Sequence, residues 1–179
     1  MRPRDVIAFV NQCLSVSENE YEVNAGKIRQ AEIEYSRIRR ESLEQEWLSA
    51  FPSVRKILEF ISASKRESFN IAEILDESKI DNLVVDLIGK DQSQFDPLIK
   101  HALRYYETGR RNPIELMREM LSILYRVGAI GLKVRTSGRF SYSHLDEPVI
   151  SPATIPDEVR VRIHPMLHSA LKLRFGDAA

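Results

Sequence analysis

The chain is poor in the residues that build covalent or phosphate-cradling sites. It holds one cysteine, Cys13, in 179 residues, which excludes an internal disulfide framework and a cysteine-based zinc site. Its seven glycines (26, 89, 109, 128, 131, 138 and 176) are scattered and never form a Gly-rich loop ending in Lys and a hydroxyl, so no Walker-type nucleotide site is present. Charge of one sign is missing too: 26 Lys+Arg balance 26 Asp+Glu. That excludes a globally basic nucleic-acid binder and an acidic solvating tail. No apolar run approaches the roughly 18–20 residues of a membrane helix. The charged start Met1-Arg2-Pro3-Arg4-Asp5 is no secretory leader. The expected setting is the cytoplasm, without membrane contact and with Cys13 reduced.

What is present is helical periodicity. Pro3 suits a first helical turn, and Asp5 there complements the macrodipole. Val6, Ile7, Phe9, Val10, Cys13 and Leu14 then give a broad apolar face to about Val16 that needs a partner, and Cys13 reads as a small core residue on it. Asn24 caps a second helix of about 25 residues, about 37 Å long. It carries Ile28, Ala31, Tyr35, Ile38, Leu43 and Trp47 as its stripe and charges of alternating sign elsewhere.

Phe51-Pro52 is a boundary, and Ser53 caps a short helix bearing Val54, Ile57, Leu58 and Ile61. Asn70 with Glu73 forms a capping-box start for Ile71–Asp76, and Ile80–Ile88 makes a further short helix. Asp96-Pro97 and Asn112-Pro113 are paired cap and first-turn signals. The first opens a helix stopped by Gly109, and the second an all-round apolar, hence central, helix ended by Gly128.

The period then changes to two. Residues 129–135 read as a strand, 136–139 as a turn, 140–145 as a second strand and 159–163 as a third. Pro165 opens a last short helix through Leu173. The expected fold class is mainly α with a small antiparallel β hairpin or sheet (α+β). Residues 1–50 form a helical lid-like segment with a long bridging helix. Residues 51–179 have the helix–helix–helix–hairpin order of a winged helix, with 133–145 as the wing and a helical insertion at about 78–112. The same order also fits a generic α+β domain.

No catalytic constellation stands out, and no metal site is expected. His164 and His168 are four apart, but His164 precedes Pro165 and reads as a helix cap. Charge is segregated, however. Residues 100–139 hold nine basic residues against three acidic, whereas residues 67–96 hold eight acidic against two basic. Arg118, Arg126, Lys133, Arg135 and Arg139 are therefore candidates for a partner or nucleic-acid contact. The central helix exposes Glu115 and Glu119 beside two of them and lacks a base-reading cluster. The alternative is that the acidic and basic segments face each other, within the chain or across an interface. Arg2 and Arg4 stand at a helix start where a phosphate can meet guanidinium forks and helix N–H groups; the other reading is a solvated N-terminus.

Arg2-Pro3-Arg4-Asp5-Val6-Ile7-Ala8-Phe9-Val10-Asn11, with Val23 through Ala31-Glu32 and Tyr35-Ser36, resembles the lid region of prokaryotic AAA+/STAND-like P-loop ATPases. The tail around Leu124-Tyr125, Gly128, Gly131, Phe140-Ser141-Tyr142 and Ile163-His164-Pro165 is similar to their winged-helix-like C-terminus. The resemblance implies a nucleotide-sensing arginine of the sensor-2 kind at Arg4, with Arg2 second. It also implies a P-loop ATPase core or another protein subunit as partner. The core's own motifs are absent, so the chain is expected to be the C-terminal portion of a longer ATPase or a split subunit. By this reading it is a non-catalytic regulatory and interaction module, not an enzyme by itself, with no cofactor of its own and ATP and Mg only where a core is present. A homo-oligomer is compatible with it, and the alternative function is a winged-helix DNA-binding protein.

Overall fold

A computed structural model describes residues 3–18, 20–89, 95–109, 112–135 and 138–174. Among these residues the chain forms seven α-helices and one three-stranded antiparallel sheet, the α+β class expected. None of the helices is long and apolar enough to cross a membrane.

The N-terminal pair is α1 (Pro3–Val16) and α2 (Ala25–Trp47). Asn24 caps α2 by accepting the Lys27 N–H. The two helices meet where Phe9 sits edge-on to Tyr35, 5.6 Å between rings. The face that α1 buries is not the expected one. Asp5 is buried while Val6, Ile7, Val10 and Leu14 are exposed, and Cys13 is only half-buried. On α2, Ala31, Tyr35 and Leu43 are buried as read, but Ile28 and Ile38 are exposed and Ser36 takes a core position. Its hydroxyl explains the exchange: Ser36 Oγ accepts the Ala170 N–H at 2.9 Å and docks the turn after Leu167 on α2.

The second part packs α3 (Val54–Ser62), α5 (Glu77–Ile88), α6 (Pro97–Thr108) and α7 (Pro113–Arg126) around one apolar core. Ser53 does not cap α3 with its side chain. It lies in helical conformation itself, and the buried Asp96 does the work from a distance. Asp96 Oδ2 accepts the Ser53 N–H (3.0 Å) and Oδ1 the Leu98 N–H (2.9 Å). One carboxylate therefore holds the starts of α3 and α6 together. The capping box forms as read, with Asn70 and Glu73 exchanging side-chain and backbone bonds at the start of α4 (Ile71–Ile74). α7 is central: of its residues only Glu115 and Arg126 are exposed.

The sheet differs most from expectation. Its order is β1-β3-β2, where β1 is Ser68–Asn70, β2 Ile130–Lys133 and β3 Arg160–Ile163. β1, three residues long, was hidden behind the cap signal at Asn70. The expected strand at 140–145 shrinks to one bridge, Leu132 to Ser141. Beyond it the chain turns back, because Asp146 accepts the Tyr142 N–H on its carboxylate and donates its own N–H to the Tyr142 carbonyl. Of the expected wing hairpin at 133–145 the described residues show one bridge (residues 136 and 137 of its turn lie outside them), and the strand paired along β2 is β3. The last helix is likewise reduced to a 3-10 turn, Pro165–Leu167, followed by turns in which Lys172 has a φ of 52°.

The long connection from β2 to β3 is tied down by α7. Tyr125 Oη donates to the Glu147 carbonyl and Ser122 Oγ to that of Ile150.

Candidate functional site

Three places hold the residues of interest. The first is the start of α1. Arg2 lies outside the described residues, as does the side chain of Arg4, whose backbone belongs to the first turn of α1. Asp5 turns inward, instead of serving the helix dipole from solvent. Its Oδ1 lies 3.6 Å from Arg39 Nη2 of α2, and both side chains are largely buried. Neither that carboxylate oxygen nor Arg39 Nε has a hydrogen-bond partner among the described residues. They flank a cavity of about 40 Å³, also lined by Arg126, His144, His164 and Met166. That is room for a water, not for a nucleotide.

The histidines there are structural. His164 Nδ1 accepts the Met166 N–H at 3.3 Å, capping the 3-10 turn as read. Burial, then the neighbouring His144, pushes its pKa down to about 4, so it is neutral at pH 7. His168 Nε2 lies 2.9 Å from the Ile163 carbonyl, which fixes the proton on that nitrogen because a carbonyl only accepts. Among the described residues no group of three or more His, Cys, Asp or Glu side chains is arranged to hold a metal.

The second place is the set of basic candidates, which the fold disperses. Arg118 pairs with Asp157 at 2.8 Å. Arg126 lies with its guanidinium 5.2 Å from the Phe51 ring. Arg139 pairs with Asp146 at 2.7 Å beside an open groove that Arg135 also lines. The acidic segment does not face these cations among the described ion pairs. Asp86 is held by Lys56, Asp76 by Lys79 and Glu73 by Arg66. The expected match between the acidic 67–96 and basic 100–139 segments is therefore not made within the chain among the described residues. Arg110 and Arg111 of the basic segment, and Lys90 and Asp91 of the acidic one, lie outside the described residues. Glu119, read as exposed, is half-buried on α7; burial and the nearby Asp96 raise its pKa.

The third place is the outer face of the sheet. Register puts Lys133 directly opposite Arg160, and Gly131 opposite Arg162. On the other flank Ser68 pairs with Arg162 and Asn70 with Arg160. Val161 and Ile163 point into the core while Arg160 and Arg162 are exposed. Arg162 stacks 4.8 Å from the Phe140 ring. Tyr142 covers Gly131 so closely that a Cβ there would meet its ring at 2.5 Å. Lys133 and Arg135 were singled out from sequence, but Arg160 and Arg162 were not. Their alternation with Val161 and Ile163 signals a half-buried strand, and only the pairing with β2 shows that the cations gather.

No curated protein and no solved structure matches the chain significantly. One family model does match: residues 1–44, the α1–α2 pair, are similar to a FunZ-associated C-terminal helical domain.

Proposed function

We propose that the chain is a non-catalytic regulatory and interaction module, coupling the nucleotide state of a P-loop ATPase core to partner contacts. The observation that carries this reading is the buried Asp5–Arg39 contact, one residue after Arg4. It clamps the first turn of α1 to α2, and Ser36 of α2 in turn holds the turn after Leu167. A displacement at Arg4 would thus be passed through packed elements, not lost in a loose terminus. The match of the α1–α2 pair to a C-terminal helical domain fits an accessory module, and the sensor-2-like role of Arg4 rests on the resemblance alone.

The outward side of α1 supplies a surface for the core. Val6, Ile7, Val10 and Leu14 are exposed, and no charged residue lies between Val6 and Ser17. The sheet order β1-β3-β2, with α3 ahead of β1, supports a winged-helix-like reading of residues 51–179, in which α5 and α6 fill the insertion. The rival reading, duplex DNA read by α7, has little surface to use, because that helix exposes only Glu115 and Arg126.

The test is ATP turnover. Arg4→Ala should leave folding intact and impair turnover when the chain is joined to its ATPase core, while the chain alone turns over no ATP. Unchanged turnover in the joined variant removes Arg4 from the site, and hydrolysis by the isolated chain overturns the module reading.

A further inference from the structure

The three strands contain no carboxylate, yet their solvent face gathers cations. Lys133 and Arg160 stand directly opposite each other, which places their Cβ atoms about 5 Å apart, where like charges are destabilising. Arg162 follows on the same face two residues along, about 7 Å from Arg160, and the exposed Arg135 follows Lys133. Among the described residues none of these four cations pairs with a carboxylate, although Arg118, Arg139 and Arg66 each have one. The fold carries a repulsion that an anion would relieve.

We propose that this face binds the phosphodiester backbone of a single-stranded nucleic acid, with Lys133, Arg160 and Arg162 as its phosphate contacts. Two of the three cations are arginines, whose planar forks fit phosphate or carboxylate oxygens two at a time; the aromatic ring beside one of them favours a nucleic acid over an acidic peptide. Arg162 is already braced on the Phe140 ring, and cations interleaved with aromatics are how single strands are held without sequence preference. The polar neighbours are partly engaged: Ser68 Oγ donates to the Val161 carbonyl and Asn70 Oδ1 caps α4. A sheet three strands and about 10 Å wide suits one flat strand, whereas a duplex groove demands a protruding helix or ribbon.

The experiment is fluorescence anisotropy of the full chain with a labelled oligo-dT over a salt series, with a labelled duplex and poly-glutamate as competitors. Binding should fall with salt at a log–log slope of about −2, for three phosphates at about −0.7 each. The Arg160→Gln/Arg162→Gln pair should lose at least about tenfold in affinity, and Lys133→Gln about threefold. Arg37→Gln, on an exposed α2 pair far along the sequence, should change nothing. Circular dichroism confirms folding, and Lys133→Gln alone decides the matter if the double variant fails to fold. No binding at low salt, equal binding by the folded variants, or tighter binding of the duplex or of poly-glutamate would each overturn the proposal.

Discussion

Asp5 and Arg39 are two charges taken out of water and left with one long contact between them. Removing one partner strands the other, and breaking a buried pair in this way costs several kcal/mol. Asp5→Ala should therefore destabilise by about 2–3 kcal/mol in urea unfolding, with the m-value unchanged. Gly131 poses a different constraint. Its alanine variant pushes Tyr142 off the sheet at about 1–2 kcal/mol. In a Tyr142→Ala background the same substitution should cost almost nothing, which a double-mutant cycle reads directly. Legibility at this scale was uneven. Asp5 was visible as a helix-start acid but not as a buried one, because nothing in its spacing distinguishes an acid facing solvent from one facing a distant arginine. His164 was legible as a cap, because Pro165 follows it.

Among the elements, caps written within three residues were readable and caps supplied from afar were not. Asn24, Asn70, Asp96 and Asn112, read as caps, all accept a backbone N–H two or three residues on; Asp76 does so too, although its spacing reads as the end of the preceding helix. Asp96 also serves α3 across 43 positions, which no local pattern encodes. Asp96→Ala should then cost about 3 kcal/mol, a cap plus a buried bond. The exposed cap variant Asn112→Ala should cost about 1, and paired thermal melts separate the two. The strands failed for a related reason. Alternation marks residues that face two ways but does not say which strand lies alongside, so 140–145 alternates yet pairs only at Ser141.

For the molecule as a whole, His164 is expected to make stability fall in acid. Its folded pKa of about 4 lies below the ordinary histidine value of 6.5, so between those values the unfolded chain binds a proton that the folded chain refuses. Stability contributed by this site is complete above about pH 6.5 and declines as pH falls toward 4. His164→Asn keeps an acceptor for the Met166 N–H and should flatten that part of the stability–pH curve. An unchanged slope would assign the acid sensitivity to other groups. The class of fold was readable from periodicity, because helices declare themselves over a dozen residues. The clustering of cations was not, since it arises only when residues 133 and 160 are brought side by side.

β3 runs between β1 and β2, although it is the last of the three to be synthesised. Phe69 and Leu132 flank its Val161, so a ribosome must release residue 163 before either finds its neighbour. Until then the nascent polypeptide carries two unzippered edges and an open apolar floor. A chain truncated before Arg160 should therefore fail to close the sheet and expose that floor to aggregation.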